Sequence, residues 1–467
     1  MSDLPHGWTH ATIEQLAGAQ GLTTDGDWIE TKDQDPTGGV RLIQLADIGD
    51  GEFRDRSARF VTMETARRLN CTFLEKDDLL IARMPDPLGR ACIFPDVGQP
   101  AITAVDVFVW RPSPDGPLAR WLMHFVNSSE VRIKMAGQAG GTTRQRIAGG
   151  RVKQLEIPVP PLPEQQRIVE KIDSLSTKSK RVRDQLYHVP RLVEKYKQSI
   201  LAEAFRGDLT ADWRGTNACN TRPEWNRRQL VNTCDPLRPI TYGVIKLGSE
   251  TPNGVPCLRT SNVRWLRVDT DGMKRISPKL SSEYARTILR GGEVLVNVRG
   301  TLGGVAVATP SMKGWNTSRE VAVVPVDTTI VEPYYVAYWI GADASQQWLN
   351  RVVKGVAYTG INLEDLRQLP IDYPSLDEQK EIICRIETAF ASINHLALEA
   401  TNARKLIDHL NQAVLAKAFQ GKLVPQDPSD EPASALLERI RAERASASEK
   451  SRRGKPARER ATSRLST

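Results

Sequence analysis

Two stretches of this chain carry apolar side chains at a spacing that alternates between four and three residues. One runs Ile382, Ile386, Ala389, Ile393, Leu396, Ala400, Ala403, Ile407, Leu410 and Val414. Alternation of this kind over more than four heptads predicts a long helix with one narrow apolar seam. Ile168, Ile172, Leu175, Ser179, Val182, Leu186, Val189, Val193, Tyr196 and Ile200 repeat the series 214 residues earlier, with Ser179 its one polar member. A helix of about 42 residues is about 63 Å long. Pro190 predicts a kink in the first copy. Pro163-Glu164 suits a first helical turn, Ser375-x-x-Glu378 has capping-box spacing, and Gly207 and Gly421 mark the stops. Such seams must be buried, and the simplest partner for each helix is the other, in an antiparallel coiled coil.

The 214-residue offset extends beyond the seams. Between Leu155 and Leu209, about 16 of 55 positions are identical to those at Leu369–Leu423, without a gap. Looser matches precede each helix. Trp8 and Ile13 match Trp225 and Leu230, the segment at Gly39–Ile48 matches Gly254–Val263, and Asp78–Arg83 matches Glu293–Arg299. These runs are short, apolar or alternating, and bounded by Gly, Pro and Asp, so they predict strands and turns. Helical stretches are expected at Leu118–Met135 and Pro333–Val353. The fold class is therefore α+β: two related domains separated by two long helices, in a pseudo-twofold internal repeat.

Composition narrows the function classes. At 467 residues, 40% hydrophobic and 26% charged, the chain has room for several cores. No run approaches the ~20 apolar residues of a membrane span, and the first residues lack a signal-peptide pattern. Six cysteines without CxxC pairs argue against a disulfide scaffold or zinc ribbon, and six scattered histidines call for no metal. The formal charge is +8, yet the segment from Glu438 to Thr467 alone holds ten Lys/Arg against four Asp/Glu. The basic character is therefore concentrated in the tail and does not by itself establish DNA binding. A solvated, partly disordered tail or a phosphate-binding arm both fit it.

The Pro-x-Leu-x-Glu-Gln segment at each helix start, the Leu-Ala-x-Ala-Phe-x-Gly-x-Leu segment at each helix end and the stretch Asp430–Arg444 together resemble the specificity subunit of type I restriction-modification enzymes. The resemblance runs from about Leu4 to Arg444. It implies target-recognition domains at 1–157 and 210–371, spacer helices at 158–209 and 372–424, and a C-terminal basic tail at 425–467. It also implies double-stranded DNA, two methyltransferase subunits and restriction/translocase subunits as partners, in the cytoplasm. S-adenosylmethionine, ATP and Mg would belong to those partners, with no cofactor in this chain. The sequence agrees: it has no Asn/Asp-Pro-Pro-Tyr/Phe methyltransferase motif and no GxxxxGK[ST] phosphate loop.

Base readout favours Arg on guanine and Asn or Gln on adenine, presented from a rigid scaffold. In the first domain the candidates are Arg41, Gln44 and Asp47 at a strand end, Arg83, Arg90, and the loop Thr142, Thr143, Arg144, Gln145 and Arg146. In the second they are Arg259, Thr260, Asn262 and Arg264, then Arg299, and Tyr358, Thr359 and Asn362. A surface ion-paired role is as good a reading for any single Arg. The corners Glu164-Gln165 and Glu378-Gln379 fit either helix capping or docking of a symmetric pair of partners. Two other functions remain open: a self-contained DNA methyltransferase or nuclease, and a coiled-coil adaptor without specific DNA binding.

Overall fold

A computed structural model describes residues 4–453 except 86, 142–143, 216–224 and 354–359. The chain divides into two compact units, one formed by Met1–Gln185 with Ala403–Thr467 and the other by Leu186–Asn402. The division cuts through the long helices, so each unit owns part of both and differs from the sequence-based boundaries.

In the first unit, Thr9–Thr12 pairs antiparallel with Glu156–Val159 and brings the two ends of the domain together. A four-stranded antiparallel sheet follows in the order Leu22–Asp25, Val107–Arg111, Leu79–Ala82, Ala91–Ile93. A three-stranded sheet runs Phe60–Val61, Val40–Ile43, Ala101–Thr103, its last pair parallel. The central strand is apolar on both faces because both are covered. Leu79 and Ile81 join Trp110, Trp121 and Phe125 in one core, while Leu80 and Ala82 join Ile43 and Ile48 in another. This period-two division is what strand geometry imposes.

The second unit repeats the plan. Asn226–Gln229 pairs with Pro370–Tyr373. The four-stranded sheet is Thr241–Tyr242, Val321–Val324, Val294–Asn297, Val305–Val307, and the three-stranded sheet is Lys274–Ile276, Val255–Leu258, Asn316–Thr317, again ending in a parallel pair. The hairpin Val263–Arg264 with Arg267–Val268 matches a turn that the first unit closes by the single bridge Ile48–Phe53.

The first long helix is interrupted. Helix α1 (Leu162–Tyr187) gives way at His188 to α2 (Val189–Arg206), with Pro190 in the first turn of α2. Proline lacks the N–H that would continue the ladder. Helix α3 (Leu376–Phe419) is unbroken for 44 residues, about 66 Å. Gly207 and Gly421 end α2 and α3 at φ 84° and 67°, left-handed values that glycine adopts without strain. In the second unit, Lys197 lies over Phe390 and Arg385 donates to the Leu209 carbonyl, so the two helices run antiparallel. In the first, Arg183 pairs with Asp408 at 2.7 Å. The expected burial of the whole seam is corrected: Ile168, Ile172, Ile382 and Ile386 are buried, but Val182, Tyr196, Leu396 and Leu410 are 45–65% exposed. A seam thinned by Ser179, Ala389, Ala400 and Ala403 offers little surface to bury them against.

The expected helical stretches beside each core also divide, into Ala119–Val126 and Ser129–Gly137, and into Pro333–Gly341 and Asp343–Arg351. At each division a glutamine of a long helix accepts the first free N–H of the second piece: Gln412 from Ser129 at 3.1 Å and Gln198 from Asp343 at 2.9 Å. The tail is more than solvated chain. Helix α4 (Ala433–Arg453) buries Ala433, Leu436, Leu437 and Ile440 in the first core. Residues 454–467 lie outside the described residues.

The corners are internal. Gln165 accepts from the Leu118 N–H and donates to the Pro160 carbonyl, both at 3.0 Å. Gln379 accepts from the Glu332 N–H at 2.9 Å and donates to the Ile330 and Pro374 carbonyls at 3.0 Å. Each fastens the start of a long helix to the start of a core helix. Glu164 accepts from the Trp8 indole at 2.9 Å, whereas Glu378 accepts from Thr210 at 2.8 Å and pairs with Arg214. The Ser375 box is half-formed, with Ser375 accepting from the Glu378 N–H while the Glu378 carboxylate turns to Thr210 and Arg214. The chain leaving one long helix clasps the start of the other: Asp212 binds Arg385 in the second unit, and Asp430 binds Arg167 in the first.

Gln379→Ala strands a buried N–H and carbonyls and should cost about 2–4 kcal/mol, seen as faster hydrogen exchange in Pro333–Gly341; unchanged exchange would contradict this role. Burial pushes the Glu164 carboxyl above the usual range against the lowering effect of Trp8. The folded state therefore binds this proton more readily than the unfolded chain. Its stabilising contribution is complete below the ordinary Glu value and is lost as pH rises through the raised one. Urea midpoints followed upward from the ordinary Glu range should show this slope in the natural protein and lose it in Glu164→Gln.

Candidate nucleic-acid interface

In each domain the middle strand of the three-stranded sheet runs into a tight turn organised by a buried side chain. Asp47 is fully buried and accepts from the Gln44, Arg56 and Ser57 N–H groups at 2.7–2.8 Å, and from the Ser57 hydroxyl. Asn262 takes its place in the second domain. It accepts from the Arg259 N–H and donates to the Asp269 carbonyl, both at 3.0 Å. Asn262 therefore shapes the turn from inside, and the side chains preceding it, Gln44 and Arg259, stand half-buried at its rim. Arg259 also donates to the Gly272 carbonyl at 3.0 Å.

The arginines of the first domain divide into two groups. Arg83 is 4% exposed; it pairs with Asp25 at 2.6 Å and donates to the carbonyls of Ile147 and Val105. Arg90 is 6% exposed and donates to the carbonyls of Ile48, Leu45 and Pro87. Both fasten loops and face the protein. Arg41 pairs with Asp55 at 2.6 Å, donates to the Ser57 carbonyl and stacks on Phe60. By contrast Arg144 and Gln145 are exposed at the loop tip. Arg146 closes the loop base, its backbone bridging Gly140 and its side chain pairing with Asp106 at 3.2 Å. Thr142 and Thr143 lie outside the described residues.

In the second domain Arg299 is exposed, with its guanidinium 5.9 Å from the Tyr242 ring and its backbone bridging Gly360. Asn362 is an exposed N-cap of Leu363–Arg367 whose side chain makes no cap bond. Tyr358 and Thr359 lie outside the described residues. Ile147 and Ile361 hold the same place in the two loops: their N–H groups donate to the matched carbonyls of Arg83 and Val298.

Arg264 is exposed on the hairpin Val263–Val268, directly opposite Arg267. No carboxylate pairs with either among the described residues, and like charges across a strand pair repel unless an anion lies between them. Arg267 escaped the sequence reading; the signal was the two-residue turn Trp265-Leu266 between cations. Asn297, buried in the central strand, was also missed, because it reads as one polar break in an apolar run. Glu164, Gln165, Glu378 and Gln379 are at most 6% exposed and bound within the chain.

No described helix is long and apolar enough to cross a membrane. The chain is 31% identical over 306 residues to the EcoBI type I restriction enzyme specificity subunit of Escherichia coli, covering 62% of this chain and 64% of that one, slightly less than two thirds of its length. It is 28% identical to the EcoKI specificity subunit of Escherichia coli K12 over 70% of this chain and 72% of that one. A chain in a solved structure described as complex assembly and conformational transition of the type I R-M system shares the fold. That match has TM-score 0.69 and 20% identity, over 91% of this chain and 100% of that one. A model of the type I restriction modification DNA specificity domain matches residues 5–186 and 247–401, well over half of the sequence, so the chain belongs to that family.

Proposed function

We propose that this chain is the DNA sequence-specificity subunit of a type I restriction-modification complex, with each domain reading one half of a split target. The observation that carries this reading is the contrast inside the repeat. The two domains share strand order and buried turn anchors, yet expose different base-competent side chains: Gln44 against Arg259 at the matched turn, with Arg144 and Gln145 from the loops of one and Arg299 and Asn362 from the loops of the other. Two copies of one scaffold with different outer chemistry suit two different half-sites.

Arg264 and Arg267 fit the phosphate backbone, which rewards cations without regard to sequence. The exposed apolar side chains of the long helices, among them Tyr196, Leu396 and Leu398 in the second unit and Leu406 and Leu410 in the first, suit docking of methyltransferase subunits. Restriction/translocase subunits would join through them. In this reading the chain is non-catalytic by itself, works in the cytoplasm, and leaves S-adenosylmethionine, ATP and Mg to its partners.

Adenine-methylation maps of host DNA with and without this gene, the rest of its locus intact, test the proposal. Loss of methylation at one split motif is expected; an unchanged map would refute it, and S-adenosylmethionine binding by the purified chain would favour a self-contained enzyme. Arg144→Ala with Gln145→Ala should relax one half of the motif and leave the other intact, at about 1–3 kcal/mol per lost base contact. Arg264→Ala with Arg267→Ala should weaken the complex equally on all sequences. It should also lower the slope of log K against log salt by about 2, measured by titration across salt.

A further inference from the structure

The same three carbonyls are gathered in both domains, by different side chains reaching from opposite strands. In the first domain Arg90 donates through Nε to Ile48 at 2.7 Å, through Nη2 to Leu45 at 2.8 Å and through Nη1 to Pro87 at 3.3 Å. In the second, Asn297 donates through Nδ2 to Val263 at 3.0 Å, Thr260 at 3.3 Å and Thr301 at 3.0 Å. Its two protons serve three acceptors, so one is shared.

Backbone register establishes that these carbonyls correspond. The Ala82 N–H donates to the Arg90 carbonyl as the Asn297 N–H donates to that of Gly304, both at 2.8 Å. Ala82 therefore stands where Asn297 stands, and Arg90 where Gly304 stands. Counting back along these strands places Pro87 on Thr301. Ile43 and Leu258 accept from Ala104 and Ser318 at 2.9 and 2.8 Å. Counting on from them places Leu45 on Thr260 and Ile48 on Val263.

The two arrangements exclude one another. A Cβ on Gly304 would strike the Asn297 amide nitrogen and the Val263 carbonyl. Ala82 carries no polar group, and its domain takes its donor from Arg90. Both donors are buried, Arg90 at 6% and Asn297 at 2% exposure. The three carbonyls belong to two loops: the strand-end turn that carries Gln44 or Arg259, and the Gly-containing turn that follows Arg83 or Arg299.

We infer that Arg90 and Asn297 are positioning residues for sequence reading. Each locks the strand-end turn to the Gly-containing turn as one rigid element whose outer side chains meet the bases. Ala82/Arg90 and Asn297/Gly304 are two solutions to the same constraint and can replace each other. The inference rests on the specificity-subunit reading and adds to it residues that touch no DNA.

The test is the adenine-methylation motif of the assembled complex in its host, for the natural chain, Arg90→Gly, and Ala82→Asn with Arg90→Gly. Arg90→Gly should lower methylation of the natural motif about tenfold or more and make the methylated sequences degenerate in one half only. The double variant should restore the defined motif. A purely structural role would lower total methylation and the thermal midpoint with the motif unchanged, and that result would overturn the inference while leaving the specificity reading intact. A double variant as degenerate as the single one would overturn it too. Absence of any split motif with the natural chain would overturn the specificity reading and this inference with it. If Arg90→Gly yields no complex, Asn297→Ser decides: degeneracy in the opposite half supports the inference, and an unchanged motif defeats it.

Discussion

At the start of each long helix a glutamine side chain is fully buried, and the groups that satisfy its amide set the layout of the unit. Gln165 and Gln379 each hold the first free N–H of a core helix and a carbonyl of the approaching strand. A buried amide left unpaired costs more than an ordinary hydrogen bond contributes, so the strand, core helix and long helix must meet at this point. The glutamate beside it extends the constraint outward: Glu164 takes the indole of Trp8, and Glu378 takes Thr210 and Arg214. A second glutamine in the same unit, Gln412 in the first and Gln198 in the second, does the same for the next core helix.

With the frame held from inside, the loops at the sheet ends are free to differ. Asp47 and Asn262 build the same turn from a carboxylate and an amide, the first collecting four donors and the second donating as well as accepting. Arg90 and Asn297 hold the same carbonyls from opposite strands. These substitutions keep backbone positions while changing what lies around them, which is what two readers of different half-sites require of one scaffold. A protein whose domains shared their outer side chains would present the same chemistry twice.

Much of this was legible in the sequence. The repeat, the long helices, the glycine stops and the α+β class follow from spacing alone. What spacing could not separate was inner from outer polar groups. Arg83 and Arg90 look like surface cations, yet they are tied to carbonyls 42–64 residues away in the chain. Asn262 reads as an adenine contact and proves to be a turn anchor. The seam of α3 promises burial along its length, but Leu396 and Leu410 stay exposed because so many of the seam positions are small. Burial of a polar side chain depends on partners distant in sequence, and no local pattern reports it.

In the proposed function, two copies of one scaffold each read their own half-site through different outer loops. The most direct measurement is the methylation motif of a complex whose chain carries the first domain twice, with the long helices retained. A defined split motif in which both halves carry the bases of the first half-site is expected. A motif that keeps the second half-site would contradict it, because the bases would then be read from somewhere other than the domain that was replaced.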